Sequence, residues 1–299
     1  MKTLNFGSLN LDKVYSVDHT VRPGETTASE RLEFFCGGKG LNQSIALSRA
    51  GEKVYHAGCV GTDGKSLLNK LKENGVDISL VKESTSVSGH AIIQVDKNGQ
   101  NSILIFGGAN SEITEKQASE VLSLFEKGDR IILQNEISNV SYIIIINSAY
   151  DKGIEIIFNP SPFDDKILSF PLQKISWFVV NETEAKELTG ESEPSKILGK
   201  FSEKHPSSNV LLTLGGDGAF CKIKDKIYFQ DIFKVPVVDT TAAGDTFLGF
   251  FFALISKMPA QKALEYASAA SAVAVSCEGA SASIPNLSEV EKFLAQNSK

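Results

Sequence analysis

The sequence predicts an α/β fold: a central, mainly parallel sheet flanked by helices on both faces, with a small β-sheet lid. Three observations carry this reading. Short apolar runs alternate with helix-periodic segments over most of the chain, the pattern of strands joined by crossover helices. Several helical segments stop on glycine, at Gly51, Gly75 and Gly190. Two stretches, about 14–35 and 89–106, break the alternation and lack helical periodicity.

In chain order, the apolar run Leu4 to Leu9 reads as a first strand. Leu41 to Arg49 is helix-periodic, and Lys53 to Ala57 returns to strand. Gly64 to Asn74 and Glu115 to Glu126 read as helices, Arg130 to Gln134 as a strand, Ser141 to Lys152 as a helix and Ile154 to Phe158 as a strand. Trp177 to Val180 is strand-like and runs into a helix over Glu182 to Leu188, and Val210 to Leu214 is a further strand. The chain closes with helices over Thr246 to Ser256, Ala260 to Ser276 and Ser288 to Gln296. In the second irregular stretch, Lys97-Asn98-Gly99-Gln100 is a hairpin turn between alternating segments. With no internal repeat and no low-complexity linker, residues 1–299 are expected to form a single unit, the irregular stretches supplying the strands of a lid over a cleft.

Composition narrows the function. Of 299 residues, 42% are hydrophobic and 22% charged, which marks a globular chain. The net charge of −6 argues against nucleic acid or an anionic membrane as the partner, since both recruit basic faces. Cys36, Cys59, Cys221 and Cys277 are scattered without C-x-x-C spacing, against a zinc site or a disulfide framework and in favour of a reducing compartment. The N-terminus lacks a signal-peptide pattern, and no apolar run approaches the roughly 20 residues that span a bilayer. A cytoplasmic location is the expectation.

The chemistry concentrates in Val238-Asp239-Thr240-Thr241-Ala242-Ala243-Gly244-Asp245-Thr246-Phe247. Two carboxylates stand among small residues where an apolar helix begins. A helix start offers unpaired N–H groups and partial positive charge, and small side chains let an anion approach. An anion cradle with a carboxylate beside it is equipment for moving a phosphoryl group onto a hydroxyl.

Other motifs admit two readings each. Gly58 to Ser66 imitates a Walker A loop but has five residues between Gly58 and Gly64 where the loop requires four, so it reads as a strand-to-helix turn. Gly37-Gly38-Lys39-Gly40-Leu41-Asn42-Gln43 allows close backbone approach to a ligand or is only a tight turn, and Gln43 breaks the dinucleotide fingerprint. Asn10 and Asp12 share a face if extended, as hydroxyl recognition needs, or are a solvated strand end. Asn181 and Glu184 are an N-cap with its capping-box partner, oxygen ligands for hydrated Mg²⁺, or both. Thr213 to Ala219 is a glycine-rich segment that either borders a nucleotide or turns into a hairpin through Cys221 and Tyr228.

Taken together, GSLNLD, GGKGLNQ, NETE, TLGGDG and DTTAAGDTF occur in an order that resembles the ribokinase-like sugar kinases over nearly the whole chain. Pro23-Gly24-Glu25-Thr26, Asn159-Pro160-Ser161-Pro162 and Ala274 to Pro285 add to the likeness. The resemblance implies a ribokinase-like fold and ATP-dependent phosphorylation of a sugar's primary hydroxyl, D-ribose to ribose 5-phosphate, with fructose, deoxyribose or adenosine as alternative acceptors. A sugar- or nucleotide-binding regulator without turnover is the alternative from another class. By the same resemblance Asp245 is the general base, with a pKa expected to be lowered by its helix start, and the N–H groups of Ala242, Ala243 and Gly244 receive the phosphoryl group. Asn10, Asp12, Gly38, Lys39, Gly40, Asn42 and Glu136 would bind sugar. Asn181, Thr213, Leu214, Gly215, Gly216, Asp217, Gly218, Gly244 and Ser268 would bind ATP. Asn181 and Glu184 would hold Mg²⁺. Asp239, Thr241, Ala274, Cys277, Gly279 and Ser283 would surround an activating K⁺. The family implies a homodimer through the lid. Leu41, where these kinases usually carry alanine, either trims the sugar pocket or packs beneath it.

Overall fold

β-Branched and aromatic runs become thirteen strands among the described residues, 1–297 of a computed structural model. Ser298 and Lys299, the end of the expected 1–299 unit, lie outside the described residues. The strands are β1 (Thr3–Phe6), β2 (Asn10–Ser16), β3 (Arg31–Gly37), β4 (Val54–Val60), β5 (Asp77–Glu83), β6 (Gly89–Val95) and β7 (Asn101–Phe106). They continue with β8 (Arg130–Gln134), β9 (Glu155–Asn159), β10 (Trp177–Asn181), β11 (Asn209–Thr213), β12 (Ala219–Ile223) and β13 (Lys226–Gln230). One sheet has nine strands in the order β13-β12-β11-β10-β9-β8-β1-β4-β5, and the other four in the order β3-β2-β6-β7. From β11 through β5 every pairing in the large sheet is parallel; only the β11–β12 and β12–β13 pairings are antiparallel.

Apart from the edge strand β5, the parallel strands are largely buried, and two apolar clusters cover them. One draws on helices α1 (Lys39–Arg49) and α2 (Lys65–Glu73), the other on α3 (Glu115–Leu122), α4 (Asn139–Asp151), α5 (Glu182–Thr189) and α6 (Pro194–Lys204). The first cluster is completed by α7 (Ala243–Leu254), α8 (Ala260–Val275), the short α9 (Ala280–Ser283) and α10 (Leu287–Asn297). Helix α7 is apolar on every side and buried from Asp245 to Leu254, as a central helix must be. It lies close on α1 because residue 249 is glycine: a Cβ there would come within 2.3 Å of Ala46 Cβ. The same helix pairing sets Asn42 and Gln43, near the start of α1, against Asp245 at the start of α7.

The order of strands reverses between β1 and β8, the point at which open parallel sheets bind ligands beyond their carboxyl ends. Asn5, Gln134, Asn159, Asn181 and Thr213 all stand at or next to those ends.

Some boundaries differ from the sequence expectation. The first strand ends at Phe6 rather than Leu9, because residues 7–9 leave the large sheet and β2 begins the small one at Asn10. The lid strand therefore starts at Asn10, not near residue 14, and the site-bearing Asn10 and Asp12 are lid residues. Helix α7 begins at Ala243, three residues before the expected Thr246. Strand β5, an edge strand with no fully buried residue, and helix α6, amphipathic through Ile197, Leu198 and Phe201, lie outside the elements expected from the sequence. The 97–100 turn is present, with Gly99 at φ +77° and Asp96 accepting from the N–H groups of Asn98 and Gln100. The Walker-like segment is a turn into α2, pinned where Asp63 accepts from the Ser88 N–H at 2.7 Å.

Candidate active site

The start of α7 is an open cradle. The backbone N–H groups of Ala242, Gly244 and Asp245 donate to nothing among the described residues, whereas Ala243 N–H is taken by the Thr240 carbonyl at 3.2 Å. The expectation of Ala242, Ala243 and Gly244 as donors is thus corrected at Ala243 in this state of the loop, and Asp245 N–H joins the set. Gly244 is exposed, and a Cβ built on it meets no atom within 4 Å. The fold does not need glycine there; the space in front of it does.

Asp245, 6% exposed, presents both oxygens to amide donors: Oδ1 accepts from Gln43 Nε2 at 2.8 Å and Oδ2 from Asn42 Nδ2 at 3.1 Å. Burial raises its pKa, and Lys39 and the two amides only partly offset this. The helix-start expectation of a lowered pKa is therefore overturned: desolvation outweighs the field of one helix terminus. Asp239 is not its partner. The Asp239 carboxylate accepts from Thr241 and from the Gly279 N–H, stapling two loops.

The sugar-side candidates gather between β2 and the start of α1. Gly38 caps the helix at φ +93°, and a Cβ on Gly40 would lie 2.4 Å from the Ser8 nitrogen, so the glycine cluster is demanded by close packing. Glu136 Oε2 accepts from Lys39 N–H at 3.0 Å and from the Ser8 hydroxyl. Burial pushes the Glu136 pKa up, and pushes Asp12 up to about 7 with help from the Glu136 charge. Burial works against the charge on Lys39, but the nearby Asp245, Glu136 and Glu184 carboxylates outweigh it and raise its pKa. The cation is what makes three neighbouring carboxylates tolerable. Asn10 is buried and held by Asn110, whose Nδ2 donates to Asn10 Oδ1 at 2.7 Å. Asn110 escaped sequence reading because nothing local marks it. Asn42 Oδ1 is buried without any partner, an acceptor lacking a donor. Leu41 is fully buried in the core and packs beneath the site.

A cavity of about 750 Å³ opens on the other side of Gly244. Of the residues expected to bind ATP, Asn181, Thr213, Gly215, Gly216, Gly218, Gly244 and Ser268 line it. Leu214 and Asp217 do not: Leu214 is 7% exposed and belongs to the core, and Asp217 is exposed outside the lining. The apolar wall, which includes Ile232, Phe233, Val235, Val237 and Phe247, was not foreseen, because the segment after β13 has no regular structure to predict. A second cavity of about 90 Å³ holds Lys39, Glu184 and Asp245 and shares Asn181, Thr213 and Gly244 with the first. Gly244 therefore stands where a large chamber meets a small one containing the carboxylate.

Asn181 and Glu184 form the capping box: Asn181 N–H donates to Glu184 Oε2 at 3.0 Å, and Glu184 N–H to Asn181 Oδ1 at 2.9 Å. Glu184 Oε1 remains without a partner among the described residues and the side chain borders the small cavity, so one anionic oxygen suits a hydrated hard cation. Of the six positions expected to surround K⁺, Asp239, Thr241 and Gly279 are tied together by hydrogen bonds, and the Ala274 carbonyl accepts from Cys277 N–H at 3.2 Å. Ser283 instead donates to the Ala280 carbonyl at 3.0 Å and has no described bond to the others.

A carboxylate facing an anion cradle at the mouth of a nucleotide-sized chamber defines a small-molecule kinase. Residues 2–287 match the family described as pfkB family carbohydrate kinase, and the chain belongs to that family. A ribokinase of Haemophilus influenzae is 35% identical, with 98% of each chain covered. Among solved structures, the ribokinase of Cryptococcus neoformans var. grubii in complex with ADP is 33% identical with a TM-score of 0.83, covering 97% of this chain and 99% of its own. The Arabidopsis thaliana ribokinase complexed with ribose and ATP is 28% identical with a TM-score of 0.85, covering 98% of both chains. No helix among the described residues is long and apolar enough to cross a membrane.

Proposed function

We propose that this chain transfers the γ-phosphoryl group of ATP to the primary hydroxyl of D-ribose, giving ribose 5-phosphate. The observation that carries the reading is the Asp245 carboxylate, buried beside the open Gly244 N–H at the junction of the two cavities. The ribokinase names of the relatives, and the ribose and ATP held by the Arabidopsis protein, support the choice of substrates.

In this reading Asp12 accepts from two ring hydroxyls and the orphan Asn42 Oδ1 from a third, with Asn10, Gly38, Lys39, Gly40 and Glu136 completing the pocket. ATP lies in the large chamber against Thr213, Gly215, Gly216, Gly218 and Ser268. Asp245 takes the proton of the primary hydroxyl as that oxygen bonds to the γ-phosphorus and the bond to the bridging oxygen of ADP breaks. A base with a raised pKa suits that task better than an ordinary carboxylate. The N–H groups of Ala242, Gly244 and Asp245, with Ala243 once Thr240 releases it, meet the charge on the transferring group. Asn181 and Glu184 would hold Mg²⁺ largely through water; when bound, the ion neutralises phosphate charge. Asp239, Thr241, Ala274, Cys277, Gly279 and Ser283 would surround K⁺, mostly through backbone oxygens.

The chain acts as one unit with its lid, in the cytoplasm, where its four free cysteines stay reduced. We assign the homodimer to the lid sheet, whose strands β3 and β7 expose Phe34, Leu104, Ile105 and Phe106. Coupled turnover with ribose, deoxyribose, fructose and adenosine, with and without K⁺, tests the reading. The highest kcat/KM is expected for ribose; no ATP consumption with any acceptor refutes it.

A further inference from the structure

We propose that Gln43, locked by Gln134, is a positioning residue that aims the Asp245 carboxylate and keeps it in its proton-accepting form. The inference rests on Asp245 being the base and adds how the fold holds it.

Gln43 is fully buried on α1, and both hydrogens of its amide are committed. One goes to Asp245 Oδ1 at 2.8 Å and the other to Asn159 Oδ1 at 3.2 Å. Its own oxygen accepts from Gln134 Nε2 at 2.7 Å, and the same Gln134 nitrogen donates to Asn5 Oδ1 at 2.9 Å. Asn5 and Asn159 are in turn fixed by donating to the carbonyls of Gly40 and Val179. The polarity of this chain of amides has one consistent assignment. Gln134 offers only hydrogens to Gln43, so a flip of the Gln43 amide would set hydrogen against hydrogen there and oxygen against the carboxylate. With Asn42 Nδ2 on the other oxygen, Asp245 receives donors only, which favours its anion against the cost of burial.

The charged groups facing Asp245 come from separate elements: Lys39 from α1, Glu136 from beyond β8, and Glu184 from α5 through Lys39. Strands β1 and β9 bring the neutral Asn5 and Asn159. None of these charges contacts the Oδ1 face that Gln43 occupies, so the aim of that oxygen depends on the amide chain.

The test is Gln43→Met, which keeps length and removes the donor. The expected result is a kcat lowered about 10- to 100-fold, KM for sugar and ATP within about twofold, and the acid limb of the kcat–pH profile displaced upward by about one pH unit. In an Asp245→Asn background the same substitution should cause no further loss of kcat, because it acts only through the carboxylate. Should Gln43→Met fail to fold, Gln134→Met, which frees the amide without removing it, should give the same signature at smaller amplitude. Wild-type kcat in a folded variant, or equal losses in both backgrounds with an unmoved pH profile, overturns the inference. An active Asp245→Asn enzyme instead sinks the base assignment itself, so the two failures are distinct.

Discussion

Asn42 and Asp245, 203 residues apart in the chain, meet at 3.1 Å across the α1–α7 contact. One end of the Asn42 amide holds the carboxylate, and the other is a buried oxygen with no donor. In the proposed function a single side chain thus spans the sugar position and the base. Asp245→Asn should lower kcat by about 10³-fold and leave KM for ribose nearly unchanged, since the proton acceptor acts in the transition state. Steady-state kinetics against both substrates measures this, and a variant with wild-type kcat contradicts it.

Gly244 and Gly37 make a matched pair. A Cβ at Gly244 meets nothing within 4 Å, but at Gly37 it would stand 2.0 Å from Asp12 Oδ2. Gly244→Ala should keep the thermal midpoint within about 1 °C and lower kcat on the order of 10²-fold by filling the cradle. Gly37→Ala should act mainly on KM for sugar by displacing Asp12. Calorimetry and kinetics on both variants read the contrast, and a kcat defect confined to Gly37→Ala reverses the assignment.

As the proposed sugar ligand, Asp12 should couple sugar binding to pH. Its pKa rises from 3.8 to about 7 on folding, through burial and then the Glu136 charge. For an acid with a raised folded pKa, the unfolded chain binds fewer protons, so the contribution to stability is full below pH 4 and is lost as pH climbs through 7. Asp12→Asn should therefore raise the melting temperature at pH 8 and leave it unchanged at pH 4. Sugar affinity should weaken below pH 7 in the natural protein and be lost in the variant. Melting curves at both pH values, with ribose titrations, check it; equal shifts at the two pH values contradict it.

At the opposite end of the sheet, Arg130 is buried, pairs with Glu155 at 2.7 Å and donates to the Phe252 carbonyl at 2.6 Å. Arg130→Met leaves both acceptors without their cation and should cost about 3 kcal/mol of stability. kcat per folded molecule should not change. Urea unfolding alongside kinetics separates the two effects.

The lid's exposed apolar residues predict an assembly. Phe34→Lys with Leu104→Lys should convert a dimer to monomer in sedimentation, and an unchanged sedimentation coefficient argues for another interface.

Much of this was legible in the chain because it is local. The strand Arg130–Gln134 was read to the residue, and the Asn181–Glu184 capping box was legible from its spacing alone. The segment Val238 to Phe247 announced an anion site because small residues, a glycine and a buried helix adjoin there. Order of motifs then gave the family.

What the sequence determined by itself was thus the alternation of elements, the cradle and the class of chemistry, all properties of residues within a turn or two of each other. Only the tertiary structure decided that Gln43, Gln134 and Asn110 touch the candidate site residues, that Leu41 and Leu214 belong to the core, and that burial raises the Asp245 pKa where a helix start alone would lower it. Those outcomes depend on which groups share a dry space after packing, and desolvation is a sum over neighbours that the linear order of residues does not contain.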